Sequence, residues 1–305
     1  NKIIYKHLSL TSISSILFSL SQIIIQIIVV RNSNPSDYGV FAFTFSVFNI
    51  FDLLVSGYSS DISLQIIGKN SVSAKIHEQN ETLSFLFTRD IIAYSIGFLI
   101  AMFIGYFVSF SDNFSFHFYL ILLFGLIFNI GYSSIKSILI SYNLIELQTK
   151  YELICVFISL FLSILFTILG GITGYVISLS VYVLLKLIVG YFIIDIKGLN
   201  IIHILNRLFS KKSTQIMEPN MAYFSIIRNG LANLNNQLDI LLIGILPFPS
   251  TVIGQYKVAK TLSGLPAKIV YPVWSALRGR MVEAFYNKNL IRLNSLILRD
   301  RKSVV

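Results

Sequence analysis

The sequence predicts an all-α fold, a polytopic transmembrane helical bundle, and three observations carry that prediction. Of the 305 residues, 55% are hydrophobic and only 12% are charged, and the mean hydropathy is +0.75. Soluble domains are far more polar than this. The apolar residues are gathered into eight runs of about 17 to 25 residues, the length that an α-helix needs to cross a bilayer. Tyrosines lie near the ends of these runs, as in the aromatic belts of membrane proteins.

The order of the eight runs predicts how the chain is divided. The runs are Leu8–Val30, Tyr38–Tyr58, Ile91–Phe110, His117–Leu139, Leu153–Leu169, Gly174–Ile194, Ala222–Leu246 and Val252–Trp274. The first run lacks the small-residue cleavage site of a signal peptide, so it is predicted to span the membrane. We expect residues 1–200 to form a lobe of six spans and residues 201–221 to form a cytoplasmic linker. Residues 222–305 then begin a second lobe of about two spans with an amphipathic tail.

The distribution of Lys and Arg predicts the orientation. Seventeen of the 24 basic residues lie in the termini and loops of one side, whereas the opposite loops hold only Arg31. By the positive-inside rule both termini are cytoplasmic. Two cytoplasmic segments, Asp61–Asp90 and Met281–Arg299, are amphipathic and are predicted to lie as interfacial helices on anionic lipid headgroups. The predicted external loops are short and rich in turn residues, and comprise Asn32–Asp37, Ser111–Phe116, Gly170–Thr173 and Pro247–Thr251.

The seventh run is long enough to span a bilayer but has one polar half. At about 100° per residue its polar side chains occupy one side of a helix, and Ile227, Leu231, Leu234, Leu238 and Leu241 form an apolar stripe on the other. Unpaired polar groups are too costly to face hydrocarbon. We therefore expect the polar half to line a water-filled cavity, with a buried helix whose amides pair with neighbours as the alternative. The polar residues are Arg228, Asn229, Asn233, Asn235, Asn236, Gln237 and Asp239.

Several charged residues lie inside predicted spans. Lys186 is twelve residues into its run and is too deep to snorkel to the interface. A charge at mid-bilayer costs about 2.5–3.5 kcal/mol on insertion scales, so its retention predicts a role. Lys257 also lies within a span, and Asp52 and Asp239 are the acidic counterparts.

A weak internal repeat links the second and eighth runs. Pro35-Ser36-Asp37-Tyr38-Gly39 is similar to Pro249-Ser250 followed by Gly254-Gln255-Tyr256, and the two Gly-x-aromatic cores are 215 residues apart. Repeats of several spanning helices are common in secondary transporters, where the transport path lies between the two halves.

Two of these segments carry a family resemblance. Arg31-Asn-Ser-Asn-Pro-Ser-Asp-Tyr-Gly-Val-Phe-Ala resembles the first loop of polysaccharide flippases of the Wzx type, in the MOP exporter superfamily. Gln237-Leu-Asp-Ile-Leu-Leu-Ile-Gly with Val252-Ile-Gly-Gln-Tyr-Lys-Val-Ala is similar to that family's signature for helices seven and eight, and Pro272 also matches. The family usually has two six-helix lobes, so this chain, which begins with Asn and has eight runs, is expected to be a fragment.

The resemblance implies a function. It implies a flippase that moves a polyprenyl-pyrophosphate-linked oligosaccharide, such as an O-antigen or capsule repeat unit, across the bacterial inner membrane by alternating access. Its partners would be this substrate, membrane lipids and other polysaccharide assembly proteins, with no nucleic acid. Under this hypothesis the cations Lys186, Arg228 and Lys257 bind the diphosphate, the amides of Asn229, Asn233 and Asn236 bind sugar hydroxyls, and Asp239 and Asp52 couple transport to an ion gradient.

The sequence offers no motif for catalysis. The four histidines are scattered, and none lies four residues from another as a helical zinc site requires. The glycine cluster at Gly170 lacks the Lys-Ser/Thr of a phosphate-binding loop. We therefore predict no enzyme activity, no cofactor and no metal site. The alternatives are another MOP exporter, for drugs or a lipid-linked peptidoglycan precursor, a membrane-embedded polysaccharide polymerase or glycosyltransferase, and a non-functional remnant.

Overall fold

A computed structural model describes residues 2–70, 76–129, 144–195 and 219–264, together with Tyr132, Ile135 and Leu139. All regular structure in these residues is helical, which confirms the predicted fold class. Most of the predicted linker 201–221, the end of the eighth run and the tail Met281–Arg299 lie outside the described residues. The helices are α1 (Lys2–Arg31), α2 (Pro35–Asn70), α3 (Ile76–Val108), α4 (Phe116–Phe128), α5 and α6 (145–169 and 172–195, the two parts of the kinked helix Ile145–Asp195), α7 (Pro219–Ile245) and α8 (Ser250–Ser263).

The kink between α5 and α6 lies at the predicted Gly170–Thr173 turn. Gly171 has φ +58° and ψ −137°, a conformation that favours glycine because a Cβ there is strained. Gly170 is also non-helical, at φ −136° and ψ 15°. Two adjacent glycines therefore let the chain reverse direction between two spans without a longer loop.

The predicted interfacial segment Asp61–Asp90 does not form a separate helix. Instead α2 continues to Asn70 and α3 begins at Ile76. Those of its charged residues that the structure describes thus lie on extensions of two spanning helices, because Lys, Glu and Gln are good helix formers.

The second helix is the centre of the bundle. It contacts α3, α4, α7 and α8, while α1 and α4 pack against the kinked helix. The core contains buried aliphatic and aromatic side chains of α2, including Ala42, Phe43 and Val47. From α4, the buried Tyr119 donates a hydrogen bond to the Ala101 carbonyl of α3, at 2.8 Å.

Large apolar side chains cover the outside of the bundle. Phe103 of α3 and Phe157 of α5 are 65% and 64% exposed, as suits a surface that faces lipid rather than water. By length and hydropathy, two helical stretches of the described residues are able to cross a membrane, Phe87–Val108 and Glu146–Ile193.

The four predicted external loops meet at one end of the bundle. The Asn113 side chain donates to the carbonyls of Gly244 and Phe248, both at 3.2 Å, and so joins the α3–α4 loop to the α7–α8 loop. At the same end, Gly171 lies close to the Asn32 carbonyl.

The residues of the internal repeat face one another across this end. A Cβ on Gly39 of α2 would lie 1.7 Å from the Ser250 carbonyl oxygen of α8. A Cβ on Gly254 of α8 would in turn lie 3.2 Å from the Pro35 carbonyl oxygen. Each half of the repeat therefore contacts the other reciprocally, as related surfaces do across a two-fold axis.

Candidate functional site

Two of the predicted site residues, Asp52 of α2 and Lys186 of α6, are joined through a third residue. The Asn129 amide, at the C-terminal cap of α4, donates to Asp52 Oδ1 at 2.6 Å and accepts from Lys186 Nζ at 3.1 Å. Lys186 also interacts electrostatically with Asp52. The arrangement compensates a carboxylate and an ammonium inside the bundle, where neither is stable alone.

Aromatic side chains complete the surroundings of Lys186. Its Nζ lies 3.4 Å from the ring centroid of Tyr132 and 5.6 Å from that of Tyr182, within the range of cation–π attraction. The Tyr151 hydroxyl donates to the Lys186 carbonyl at 2.8 Å and fixes the backbone of α6. Lys186 is only 8% exposed, so its charge is held inside the protein rather than reaching the interface.

A cavity of about 160 Å³ lies beside this cluster, between α2, α4 and α6; we call it the α2–α4–α6 cavity. Its walls are mainly aromatic and aliphatic, with polar and charged side chains among them. The lining residues are Phe45, Phe48, Asn49, Asp52, Leu122, Gly125, Leu126, Asn129, Leu179, Ser180, Tyr182, Val183 and Lys186.

Asp239 belongs to a second cluster, between α7 and α8. Lys260 Nζ lies 2.5 Å from Asp239 Oδ1, and the Tyr256 hydroxyl donates to Asp239 Oδ2 at 2.5 Å. Lys260 also donates to the Asn236 carbonyl of α7. The side chains of Lys260 and Asp239 are 29% and 34% exposed, so water reaches this ion pair.

The remaining predicted site residues lie on α7 and α8. Arg228 and Asn236 are exposed. Lys257 is half-buried, with its Nζ 5.7 Å from the ring centroid of Phe45, a residue that lines the cavity. Asn229 and Asn233 lie on α7, but their side chains are outside the described part of the chain.

Three of the predicted site residues, Asp52, Lys186 and Asp239, therefore lie in two clusters, and each cluster contains a partner that sequence reasoning missed. Asn129 was missed because it is a single amide at the end of an apolar stretch. Lys260 was missed because its pairing depends on how α7 and α8 align. The pairing of Lys260 with Asp239 could have been predicted from the sequence. The two residues lie at similar distances on either side of the turn at Pro249, so they face each other in an antiparallel helix pair.

The face of α7 that packs on α2 includes two residues that belong to neither the predicted polar set nor the predicted apolar stripe. Gly244 lies against the ring of Phe43, and Ile240 is fully buried. The predicted stripe residues Ile227 and Leu231 are more than half exposed, as expected for a surface facing lipid. Gln237, from the polar half, is partly covered.

Among the described residues, no three His, Cys, Asp or Glu side chains gather in a way that could hold a metal ion.

Comparison with known proteins identifies relatives by structure alone. No family model and no curated protein matches the sequence. Among solved structures, a MATE transporter in complex with Br-NRF superposes with a TM-score of 0.63 at 16% identity, covering 98% of this chain and 70% of its own. The eukaryotic MATE transporter AtDTX14 gives 0.64 at 14% identity, covering 97% and 68%.

A third structure, a MOP superfamily transporter from Pyrococcus furiosus, gives a TM-score of 0.64 at 16% identity, covering 98% of this chain and 69% of its own. Its description, "reverse polarity of binding pocket suggests different function", is a statement about that transporter's pocket. The structural neighbours are thus MATE and MOP superfamily transporters. This chain has the fold of these multi-pass membrane transporters.

Proposed function

We propose that the protein is a flippase for a lipid-linked oligosaccharide. It moves a polyprenyl-pyrophosphate-linked repeat unit, of O-antigen or capsular polysaccharide, from the cytoplasmic to the periplasmic leaflet of the bacterial inner membrane by alternating access. The transporter fold supports an exporter over a polymerase or glycosyltransferase. The loop and helix signatures at Arg31 and Gln237 support this substrate class.

One observation carries the proposal beyond the fold. Along α7 and α8, cations and amides form a polar surface. Arg228 and Asn236 are exposed on it, and Lys257 reaches from it to Phe45 at the wall of the cavity. Guanidinium and ammonium groups bind phosphate oxygens, and amides bind sugar hydroxyls, so this surface suits an amphiphile with a diphosphate and a glycan.

The two in-span carboxylates are proposed to couple transport to an ion gradient. Asp239 pairs directly with Lys260, and Asp52 is bridged to Lys186. A proton or cation that binds to either carboxylate weakens the attraction between that carboxylate and its lysine. The helices that carry the two groups then change their packing. Such a carboxylate–lysine pair is an expected element of an ion-coupled transporter.

The topology is proposed on the same basis. Both termini are cytoplasmic, residues 1–200 form the first lobe, residues 201–221 a linker, and residues 222–305 the start of the second lobe. The external loops then lie at the end of the bundle where Asn113 binds the α7–α8 loop. A cysteine at the exposed Ser36 should react with an impermeant thiol reagent in intact cells. Protection of that cysteine would contradict this orientation.

The function is tested by reconstitution. The purified protein is inserted into liposomes containing a fluorescent polyprenyl-pyrophosphate oligosaccharide, and an impermeant glycosidase removes the outward-facing glycan. The protein should raise the accessible fraction from about half towards all of the glycan. Arg228→Ala and Lys257→Ala should slow this exchange, whereas Leu231→Ala, on the exposed apolar side of α7, should not. No exchange by the wild-type protein, with ethidium efflux instead, would favour a drug exporter.

A further inference from the structure

The polar end of the α2–α4–α6 cavity carries compensated charge. Asp52 and Lys186 are the two charged residues in its lining, and Asn129 hydrogen bonds to both. A charged group of the substrate, of either sign, would have to break this bridge, at the cost of an uncompensated charge inside the bundle. The cavity therefore suits an uncharged ligand.

Hydrogen-bonding groups remain available in the lining of the cavity. Asn49 of α2 lines the cavity and makes no hydrogen bond to another residue that the structure describes, which leaves its amide donors and its carbonyl acceptor for a ligand. The Ser180 hydroxyl donates to the Ile121 carbonyl at 2.7 Å, which leaves its oxygen as an acceptor. The ligand is thus expected to both donate and accept hydrogen bonds.

Aromatic side chains line the cavity beside these polar groups. The rings of Phe45 and Phe48 lie one helical turn apart on α2, with centroids 6.1 Å apart and an interplanar angle of 27°. Both line the cavity, and Tyr182 of α6 lines it as well. Aromatic rings next to hydrogen-bonding groups fit a molecule with an apolar C–H face and several hydroxyls, which is the character of a sugar ring.

We propose that the α2–α4–α6 cavity binds one uncharged pyranose ring of the transported oligosaccharide. This proposal rests on the proposed function. It adds the place where part of the glycan is held and the requirement that the sugar bound there is uncharged. The cavity volume of about 160 Å³ corresponds to about five water molecules at about 30 Å³ each, which is room for one six-membered ring. The diphosphate is too highly charged for this site and is bound elsewhere.

Ligand binding is tested by saturation-transfer NMR with the protein in lipid nanodiscs free of sugar-based detergent. The probes are uncharged methyl pyranosides (glucoside, galactoside, rhamnoside and N-acetylglucosaminide), with methyl glucuronide as the charged comparison. Val183→Phe fills the cavity, and Ile177→Phe places the same ring on the exposed side of α6 as a matched control. Asn49→Leu removes the available amide without adding bulk.

At least one uncharged probe should show saturation transfer to the wild-type protein. The signal should fall at least fivefold in Val183→Phe and in Asn49→Leu, and should be unchanged in Ile177→Phe. Equal signals from wild type and Val183→Phe, a preference for the glucuronide, or no transfer from any uncharged probe would overturn the proposal. Size-exclusion chromatography shows whether each variant is folded. Because Val183→Phe and Asn49→Leu change the cavity independently, the test still decides if one of them fails to fold.

Glycan exchange measured on the same variants separates the two proposals. If the wild type and Val183→Phe move lipid-linked oligosaccharide at equal rates, the sugar subsite is wrong while the flippase function stands. If the wild type moves none, the flippase function is wrong, and the NMR signals decide the cavity separately.

Discussion

Replacing Gly39 with alanine should force apart the ends of α2 and α8 that lie beside the predicted external loops. The new Cβ would lie 1.7 Å from the Ser250 carbonyl oxygen and 2.4 Å from its carbonyl carbon, whereas ordinary contacts begin at 3.4 Å. Both contacting atoms belong to backbone and cannot rotate away, so one helix has to move relative to the other. Overpacking of a close contact costs about 1–3 kcal/mol, and we expect the upper part of that range here.

Thermal unfolding and cysteine accessibility measure this effect together. Gly39→Ala should lower the unfolding midpoint of the purified protein by several degrees. In the same background, Ile253→Cys, buried at the start of α8, should become reactive towards a hydrophilic thiol reagent added outside. Gly170→Ala is the control, because a Cβ there meets nothing within 4 Å. An unfolding midpoint for Gly39→Ala equal to that of Gly170→Ala would refute the close contact and the reasoning built on it.

Three further substitutions test the other contacts, each by thermal unfolding of the purified protein. Lys186→Met should destabilise by about 3–5 kcal/mol, because it leaves the Asp52 carboxylate uncompensated, and adding Asp52→Asn should restore part of the loss. Lys260→Ala should cost no more than about 1 kcal/mol, since its ion pair with Asp239 is partly exposed to water, and a larger loss would show that this pair is less solvated. Asn113→Ala should cost about 1–3 kcal/mol, because two carbonyls of the α7–α8 connection lose their donor, and no change would mean that water replaces the amide.

Much of the fold could be predicted from the sequence because the bilayer imposes helix length and apolar character on each span. The turn at Gly170–Gly171 was also predictable, since two glycines between apolar runs permit a sharp reversal. The extent of α2 and α3 was not. Polar residues beyond the membrane boundary continue a helix as readily as they end it, so composition does not mark where α2 stops.

Individual residues of the candidate site could be predicted from the sequence, but their grouping in space could not. Lys186 and Asp52 were identified because a charge in an apolar run is rare and costly, and that argument needs no structure. Their connection through Asn129 depends on the rotation and depth of three helices from distant parts of the chain. The periodicity of a sequence shows which residues share one face of a helix, but not which other helix packs against that face. The bridge from Asp52 through Asn129 to Lys186 could therefore not be predicted.

The distribution of charge and glycine bears on how the two proposed lobes could move. Both carboxylate–lysine clusters are formed within one proposed lobe, the first by α2, α4 and α6, and the second by α7 and α8. At the end where the predicted external loops meet, the contact between the lobes is made by glycine and backbone, at Gly39 with Ser250 and at Gly254 with Pro35, and by the uncharged Asn113 amide. Separating such surfaces requires no buried ion pair to be broken, whereas breaking one costs about 3–5 kcal/mol. A rotation of one lobe against the other therefore leaves both clusters intact, and this is the arrangement that alternating access between rigid bodies requires.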